Sequence, residues 1–467
     1  MREGSLNAPT RHAIDWQNPD FYDEDRLDAE LRRVFDICHG CRRCFNLCDS
    51  FPRLFDLIDS TPSGELYEVK SGKLGSVADA CTLCDMCFMS KCPYVPPHVF
   101  NVDFPHLMMR YRAVETKKGR VPVAERELIK IDRNGRLAKL ATSLVNGITS
   151  TRNWVARLIM EITVGIHHAA TLPRYSSKTF VERNSAEKIE INQAAPAYGQ
   201  RKAVIYATCS VNYNDPDLGL IARKLLAKNG VETEVVYPSC CGMPQFEKGN
   251  LEQVAENARI VAAEMTPWIA KGYDVIALVP SCALMLKLEW PLLVPPTDPS
   301  YADVAQLAQA SFDLTEYIVD IAARHGLAPG LEPLAGPVAL HIACHARAQN
   351  MGAKADEMLR LLPESGAVTV IERCSGHGGS WGIMKKHFPT ALRVGKPVAQ
   401  KAAAILHIAK NNQQPAFIAS ECPLAAAHIL QGVERLDGTT GMRAYNPVEI
   451  FAMSYGILRN DTTDGSR

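Results

Sequence analysis

The sequence predicts a multidomain α+β protein, an α-helical cysteine-bearing domain followed by a duplicated α/β domain. Three observations carry this. Two four-cysteine runs, Cys38 to Cys48 and Cys81 to Cys92, stand near the N-terminus. From Arg201 the apolar pattern changes from helical spacing to short strands alternating with amphipathic helices. That alternation then recurs, with cysteines at equivalent strand ends 134 to 140 positions further on.

A chain of 467 residues is long enough for two or three domains with substantial cores. With 47% hydrophobic and 22% charged residues it has the composition of an ordinary globular protein. Lys and Arg total 51 against 51 Asp and Glu, so no nucleic-acid footprint or general attraction to anionic surfaces is expected. Met1 to Gln17 lacks the apolar stretch of a signal peptide, and no apolar run reaches membrane-spanning length. The expectation is a cytoplasmic protein, peripheral to the inner face of the membrane if it meets a membrane at all. In that compartment 15 cysteines point to metal and not to disulfides.

The first run is Cys38-His-Gly-Cys41-Arg-Arg-Cys44-Phe-Asn-Leu-Cys48; the second is Cys81-Thr-Leu-Cys84-Asp-Met-Cys87-Phe-Met-Ser-Lys-Cys92-Pro93. Two-residue gaps let one tight turn aim three thiolates into a single bowl, which suits a cubane [4Fe–4S] cluster. Both are runs of the bacterial ferredoxin kind, in which the fourth cysteine of each run ligates the other cluster. Cys38, Cys41, Cys44 and Cys92 are therefore assigned to one cluster, and Cys81, Cys84, Cys87 and Cys48 to the other. Structural zinc prefers paired C-x-x-C units over triplets with a trailing cysteine. Two departures are visible: Asp49 replaces the usual following proline, and four residues instead of three precede Cys92.

Taken in order, residues 1–24 read as a flexible leader and Asp25 to Asp36 as a helix delivering Cys38. Phe51 to Asp79, with its Pro, Gly and charged residues, reads as the loop joining the two runs, and Phe104 to Val114 as a helix closing a domain over 25–115. Residues 116–200 form a helical connector and linker. Its two amphipathic helices carry Leu140, Leu144, Val145 and Ile148, then Trp154, Val155, Leu158, Ile159, Ile162 and Ile166. Such helices pack on a core or lie against a partner or membrane surface, and the narrow stripe favours core or interdomain packing.

Residues 201–332 and 333–459 read as two repeats, with 460–467 as a tail. Strands are expected at Ala203–Ala207, Glu232–Tyr237, Val275–Val279, Val338–Ile342, Val368–Glu372 and Ala416–Ala419. Helices are expected at Asp217–Asn229, Leu251–Lys271, Ala355–Leu362 and Val394–Lys410. Cys209, Cys240 and Cys282 match Cys344, Cys374 and Cys422, each just beyond a strand, where open α/β sheets bind ligands. With Cys241, the first repeat supplies four thiolates for a third cluster. The second supplies three, with Ser375 in the fourth place, for a fourth cluster or none. Of the nearby histidines His341, His345, His377 and His428, the two beside the motif, His345 and His377, are with Ser375 the candidate ligands or catalytic groups.

The motif Cys209, Cys240-Cys241-Gly242, Cys282 and its weaker copy Cys344, Cys374-Ser375-Gly376, Cys422 resembles the CCG cysteine-rich domain pair of the heterodisulfide reductase B subunit family. Behind two ferredoxin runs, it is similar to the C-subunit family of anaerobic glycerol-3-phosphate dehydrogenases and to glycolate oxidase iron–sulfur subunits. The resemblance implies an α-helical two-cluster ferredoxin-like domain followed by a duplicated α/β CCG domain. It implies an electron-transfer protein linking a redox partner, often a flavoprotein, to an acceptor such as a quinone or disulfide. Disulfide-reducing members carry a C-x-x-C where this chain has Met285 and Ala425, which favours the carrier over the enzyme. The sequence has no G-x-G-x-x-G after a strand and no P-loop, so its reductant comes from another protein; the redox partner is expected to be a flavoprotein, or a diiron protein that this chain would itself reduce.

Overall fold

The computed structural model describes residues 9–363, 368–438 and 441–458. The first eight residues of the expected leader and the whole of the 460–467 tail lie outside them.

The N-terminal part is helical. Helix Glu24–Cys41 buries Leu27, Leu31, Val34 and Phe35 and is capped by the Asp23 carboxylate. It runs past the expected end at Asp36, so Cys38 and Cys41 sit on its last turns, and Arg42 stops it in the left-handed region at φ 51°. The loop expected over Phe51–Asp79 is instead largely helical, in Ser50–Asp59 and Ser71–Ala80. Phe51, Leu54, Phe55 and Ile58 recur at helical spacing and are fully covered, as are Leu74, Val77 and Ala78. Helix Phe104–Lys117 completes this part.

The leader is not loose where it is described. The Ile14 and Trp16 N–H groups donate to the carbonyls of Leu292 and Leu293 at 2.8 and 2.7 Å. The Arg11 guanidinium is enclosed by Asp85, Asp103 and Glu289 at 2.8, 3.0 and 2.8 Å. A single cation satisfying three carboxylates from distant stretches is what draws this segment down.

Two small parallel sheets follow. Strands β1 (Lys202–Tyr206), β2 (Glu232–Val236), β3 (Asp274–Ala277) and β4 (Ser311–Asp313) lie in the order β2-β1-β3-β4. Strands β5 (Val338–His341), β6 (Val368–Ile371), β7 (Phe417–Ser420) and β8 (Ala444–Tyr445) lie in the order β6-β5-β7-β8. The inner strands β1, β3, β5 and β7 are covered by helices, and their mostly apolar runs suit that burial. In each sheet the first three strands are those expected, and the fourth is too short to show a pattern in sequence.

The connector differs most from expectation. It forms helices Ile131–Leu140, Thr142–Thr149 and Trp154–Thr163. The inward face of the first is made of small residues: Gly135 and Ala138 are buried, and Gly135 lies against the Tyr213 ring. In the third, the one buried residue is Arg157, whose guanidinium donates to the carbonyls of His167, His168 and Ala170. The large apolar side chains consequently point outward, with Leu140 82%, Trp154 71% and Ile162 74% exposed. Core packing of this stripe therefore holds at Ile166, which is buried, and fails along the two helices, where carbonyls satisfied by an arginine fork took the inward face.

Candidate metal centres

The turns after the helix ends gather the first eight cysteines into two sets. Burial pushes the Cys38 thiol up, and the neighbouring Cys92, Cys44 and Cys41 push it further. Burial also raises Cys48, reinforced by Cys84 and Cys81 of the other run, and Cys87, reinforced by Cys84, Cys81 and Cys48. The fourth cysteine of each run thus lies with the first three of the other. Leu83 and Asp85 flank Cys84 at φ 48° and 63°, unusual for non-glycine residues and held by the surrounding packing. The extra residue before Cys92 is absorbed by a π turn over Cys87–Lys91, closed by the Cys92 N–H on the Cys87 carbonyl at 2.8 Å.

The third set sits at the carboxyl ends of β1, β2 and β3. Cys209 opens helix Cys209–Tyr213, and Cys282 lies in helix Pro280–Leu284. Cys240 and Cys241 fill the turn after β2, which Gly242 completes at φ 84°. The Cys209 and Cys240 sulfurs are 3.7 Å apart. Hydrogen bonds to Cys209 and Cys241 hold the Cys240 thiol well below its usual value, while both neighbours are pushed up. Tyr206 lies beneath the set, its hydroxyl on the Ser239 carbonyl at 2.6 Å. Asp132, from the connector, accepts the Cys240 N–H at 2.9 Å and the Tyr237 hydroxyl. Trp290 donates to the Cys241 carbonyl at 3.1 Å.

The fourth set has the same placement after β5, β6 and β7. Cys344 opens helix Cys344–Ala348 and Cys422 caps helix Pro423–Asp437. Gly376, like Gly242, is left-handed, at φ 82°; a Cβ there would stand 2.0 Å from the Ala391 carbonyl oxygen. Burial raises the Cys344 thiol, with Cys84, Cys374 and Cys422 adding to it. Burial and Cys374 likewise lift Cys84 to about 12. The fourth set therefore adjoins the second, and this junction is tied by Trp381 donating to the Asp79 carbonyl at 2.8 Å and by Lys386 on the Asp79 carboxylate at 3.0 Å.

The candidate side chains around the fourth set divide. Ser375 is buried between Cys374 and Gly376. His345 turns away, its Nε2 against the Leu83 carbonyl at 3.3 Å. His341 is engaged by the Ser420 hydroxyl and the Arg373 carbonyl. The His377 ring packs edge-on against His428 with centroids 5.7 Å apart, and His428 Nε2 is buried without a hydrogen-bond partner among the described residues. Asp132, Tyr206 and the Arg11 cluster escape sequence reasoning because each is a lone polar residue far along the chain from what it touches. So does the group Glu161, His167 and His168, whose ligand atoms lie within 4.8 Å of one another.

A thiol whose pKa is raised by burial and by neighbouring thiols, as at Cys38, Cys48, Cys87 and Cys344, stays protonated unless a cationic centre ionises it; Cys240, held low by its neighbours, is the exception. Sets of four sulfurs fit iron–sulfur cubanes, and the three-sulfur set fits one with an iron left to another ligand.

Residues 203–287, spanning the third set, match the family described as "CCG: Cysteine-rich domain". Among individual proteins the chain is similar to the C subunit of the anaerobic glycerol-3-phosphate dehydrogenase of Escherichia coli (strain K12), 27% identical over 269 residues, covering 57% of this chain and 64% of that one. It is also similar to the B subunit of the CoM/CoB fumarate reductase of Methanothermobacter marburgensis, 25% identical over 255 residues, covering 54% and 46%. The lactate utilization protein A of Bacillus pumilus is 28% identical over 189 residues, covering 39% and 75%. The match thus spans just under two thirds of the Escherichia coli relative and about half of the Methanothermobacter marburgensis one.

Proposed function

We propose that this chain is an iron–sulfur electron-transfer protein, relaying electrons between a redox partner protein, a flavoprotein dehydrogenase, and a terminal acceptor such as a quinone. In this reading residues 25–115 are a ferredoxin-like domain holding [4Fe–4S] clusters at Cys38, Cys41, Cys44 and Cys92 and at Cys48, Cys81, Cys84 and Cys87. Residues 201–332 and 333–459 are two copies of one unit, with a third cluster at Cys209, Cys240, Cys241 and Cys282 and a fourth at Cys344, Cys374 and Cys422. Such clusters supply reversible one-electron storage when bound.

The observation that carries the reading is adjacency. Cys44 acts on Cys87 across the first two sets, and across the second and fourth Cys84 acts on Cys344 while Cys374 acts on Cys84. Thiol sets in contact through a common wall are placed for transfer, whereas metals serving as staples need no such chain. The protein's own contribution is to fix the turns with left-handed residues, to keep the sulfurs dry, and to aim N–H donors such as Gly376 at Cys374 Sγ, 3.3 Å away. The names of the relatives, one part of a dehydrogenase and one part of a reductase, support a place in a multi-subunit oxidoreductase.

Anaerobic reconstitution tests this: three cubanes or more require about twelve iron atoms per chain, and iron near eight would remove the third set. A second reading, reduction of a disulfide or other small acceptor at the fourth set, is favoured by its missing fourth thiolate at Ser375. Thiol–disulfide turnover by the purified chain without a partner would establish it. Electron delivery to a diiron peroxidase instead would change the partner and leave the relay intact.

A further inference from the structure

Beside the outward-facing helix Trp154–Thr163 a cavity of about 380 Å³ opens against helix Pro423–Asp437. Trp154, Arg157, Leu158, His168, Gln431 and Arg435 line it. Its size is that of a small-molecule site, and its walls combine apolar surface with a few fixed polar groups. Arg157 is fully buried and closes the floor of the cavity, its guanidinium on the His167, His168 and Ala170 carbonyls, whereas Arg435 is exposed at the opening. Arg435 lies over the Phe388 ring at 5.2 Å, and Gln431 is held by the Ala169 carbonyl at 2.5 Å. Trp154 and Leu158 belong to the exposed stripe, so the mouth is continuous with Val155, Ile159 and Ile162.

The cavity is joined to the fourth thiol set by a line of packed rings. His377, two residues from Ser375, meets His428 at 5.7 Å, and His428 meets Phe388 at 6.5 Å. Phe388 stacks on His167 at 4.2 Å, and His167 on His168 at 4.4 Å. His168 Nδ1 is paired with Glu161 at 2.5 Å, and its side chain is exposed to solvent. A divalent cation at Glu161, His167 and His168 fits less well, because Lys385 Nζ already stands 3.1 Å from Glu161 and opposes a second cation.

We infer that this cavity is the binding site of the terminal acceptor, a quinone whose ring enters beside Arg435 and Gln431, above the Arg157 floor, and whose apolar tail lies along the stripe of Trp154, Leu158 and Ile162. The inference rests on the relay proposed above. A ring carbonyl accepts from the Arg435 guanidinium, and reduction converts both C=O groups to C–OH. That step consumes two electrons, supplied one at a time by the reduced iron–sulfur sites, and two protons, drawn from solvent through the His168 imidazole and its Glu161 partner. A simple anion would use Arg435 but leave the apolar mouth without a role, and a lipid headgroup would use both without needing the ring line.

The test uses the reconstituted full chain. Titration calorimetry with a short-tailed naphthoquinone should give saturable binding to the oxidised protein. Leu158→Glu at the mouth and Arg435→Gln in the wall should each weaken it by about tenfold or more, with iron content as the folding control. In stopped-flow reoxidation of the photoreduced protein, the rate with the quinone relative to ferricyanide should fall to a similar degree in both variants. Non-saturable binding, binding in both variants as tight as in the parent, or a bound quinone that is not reduced while ferricyanide is, each overturns the inference. Saturable binding of anionic lipid vesicles with no quinone binding overturns it in favour of a membrane contact. Failure of the relay looks different: ferricyanide would also go unreduced, while quinone binding and its loss in Leu158→Glu would persist.

Discussion

Replacing Arg11 by methionine isolates the strongest tie between the N-terminal segment and the rest of the protein. The guanidinium is the shared partner of Asp85, Asp103 and Glu289, and it also covers the Phe88 ring at 4.3 Å. Methionine keeps the stem and leaves three carboxylates with one remaining cation, His106, 3.0 Å from Glu289. Stripping one partner from a buried ionic cluster costs about 3–5 kcal/mol, and the surviving histidine places this case near 3. Local opening of residues 10–16 should become about 150-fold more frequent, read as faster exchange of the Thr10 and Ile14 amides, which bond to Pro96 and Leu292. Hydrogen-exchange mass spectrometry measures this, with helix Leu251–Ala270 as the internal reference. Exchange within about threefold of the parent would refute the reasoning. Acid acts on the same cluster. Burial pushes the Glu289 carboxyl up, but His106 and Arg11 more than offset this and hold it at about 2 against an ordinary 4.5. A depressed carboxyl stabilises above its unfolded value, so this contribution is intact above pH 4.5 and disappears as pH falls through 2.

Other outcomes follow from the thiol sets. Gly376→Ala forces a left-handed residue, about 1–2 kcal/mol, and drives its Cβ into the Ala391 carbonyl. Iron should be lost from the fourth set with the spectra of the other sets retained, and full iron content would contradict it. Ser375→Cys should stabilise a cluster at the fourth set against chelators while abolishing any disulfide turnover at that set; unchanged disulfide turnover would remove Ser375 from the chemistry. Asp132→Asn removes a negative charge beside Cys240 and should raise the midpoint potential at the third set in an EPR-monitored titration. It should also cost about 1–2 kcal/mol in weakened pairing to the Cys240 N–H and the Tyr237 hydroxyl; a lowered potential would count against the placement.

What the sequence discloses is local. The spacing of Cys38 to Cys48 and Cys81 to Cys92, and the recurrence of cysteine beyond β1, β2 and β3 and then β5, β6 and β7, are short-range signals that survive folding intact. The stretch between the runs misleads because Pro52, Pro62 and Gly64 sit at or beyond the end of a helix, where they cost little, while Phe51, Leu54, Phe55 and Ile58 set its buried face. Asp132 is invisible in sequence because its partner Cys240 is 108 positions away. The stripe of the Trp154–Thr163 helix reads in the wrong direction for a related reason. Nothing nearby announces that the carbonyls of His167, His168 and Ala170 need donors, so Arg157 looks like an ordinary surface residue until the chain folds back on it.

The tie between Trp381 and Asp79 also bears on how the protein is made. Eight thiols have left the ribosome once Cys92 is out, but the segment that closes over Cys81 and Cys84 comes about 290 residues later, roughly 15 to 60 s at ordinary elongation rates. During that interval the sulfurs are synthesised without their wall and open to oxygen and stray metals. A chain arranged in this way favours iron delivery that waits for its C-terminal third, or a helper that shields the N-terminal helices until then.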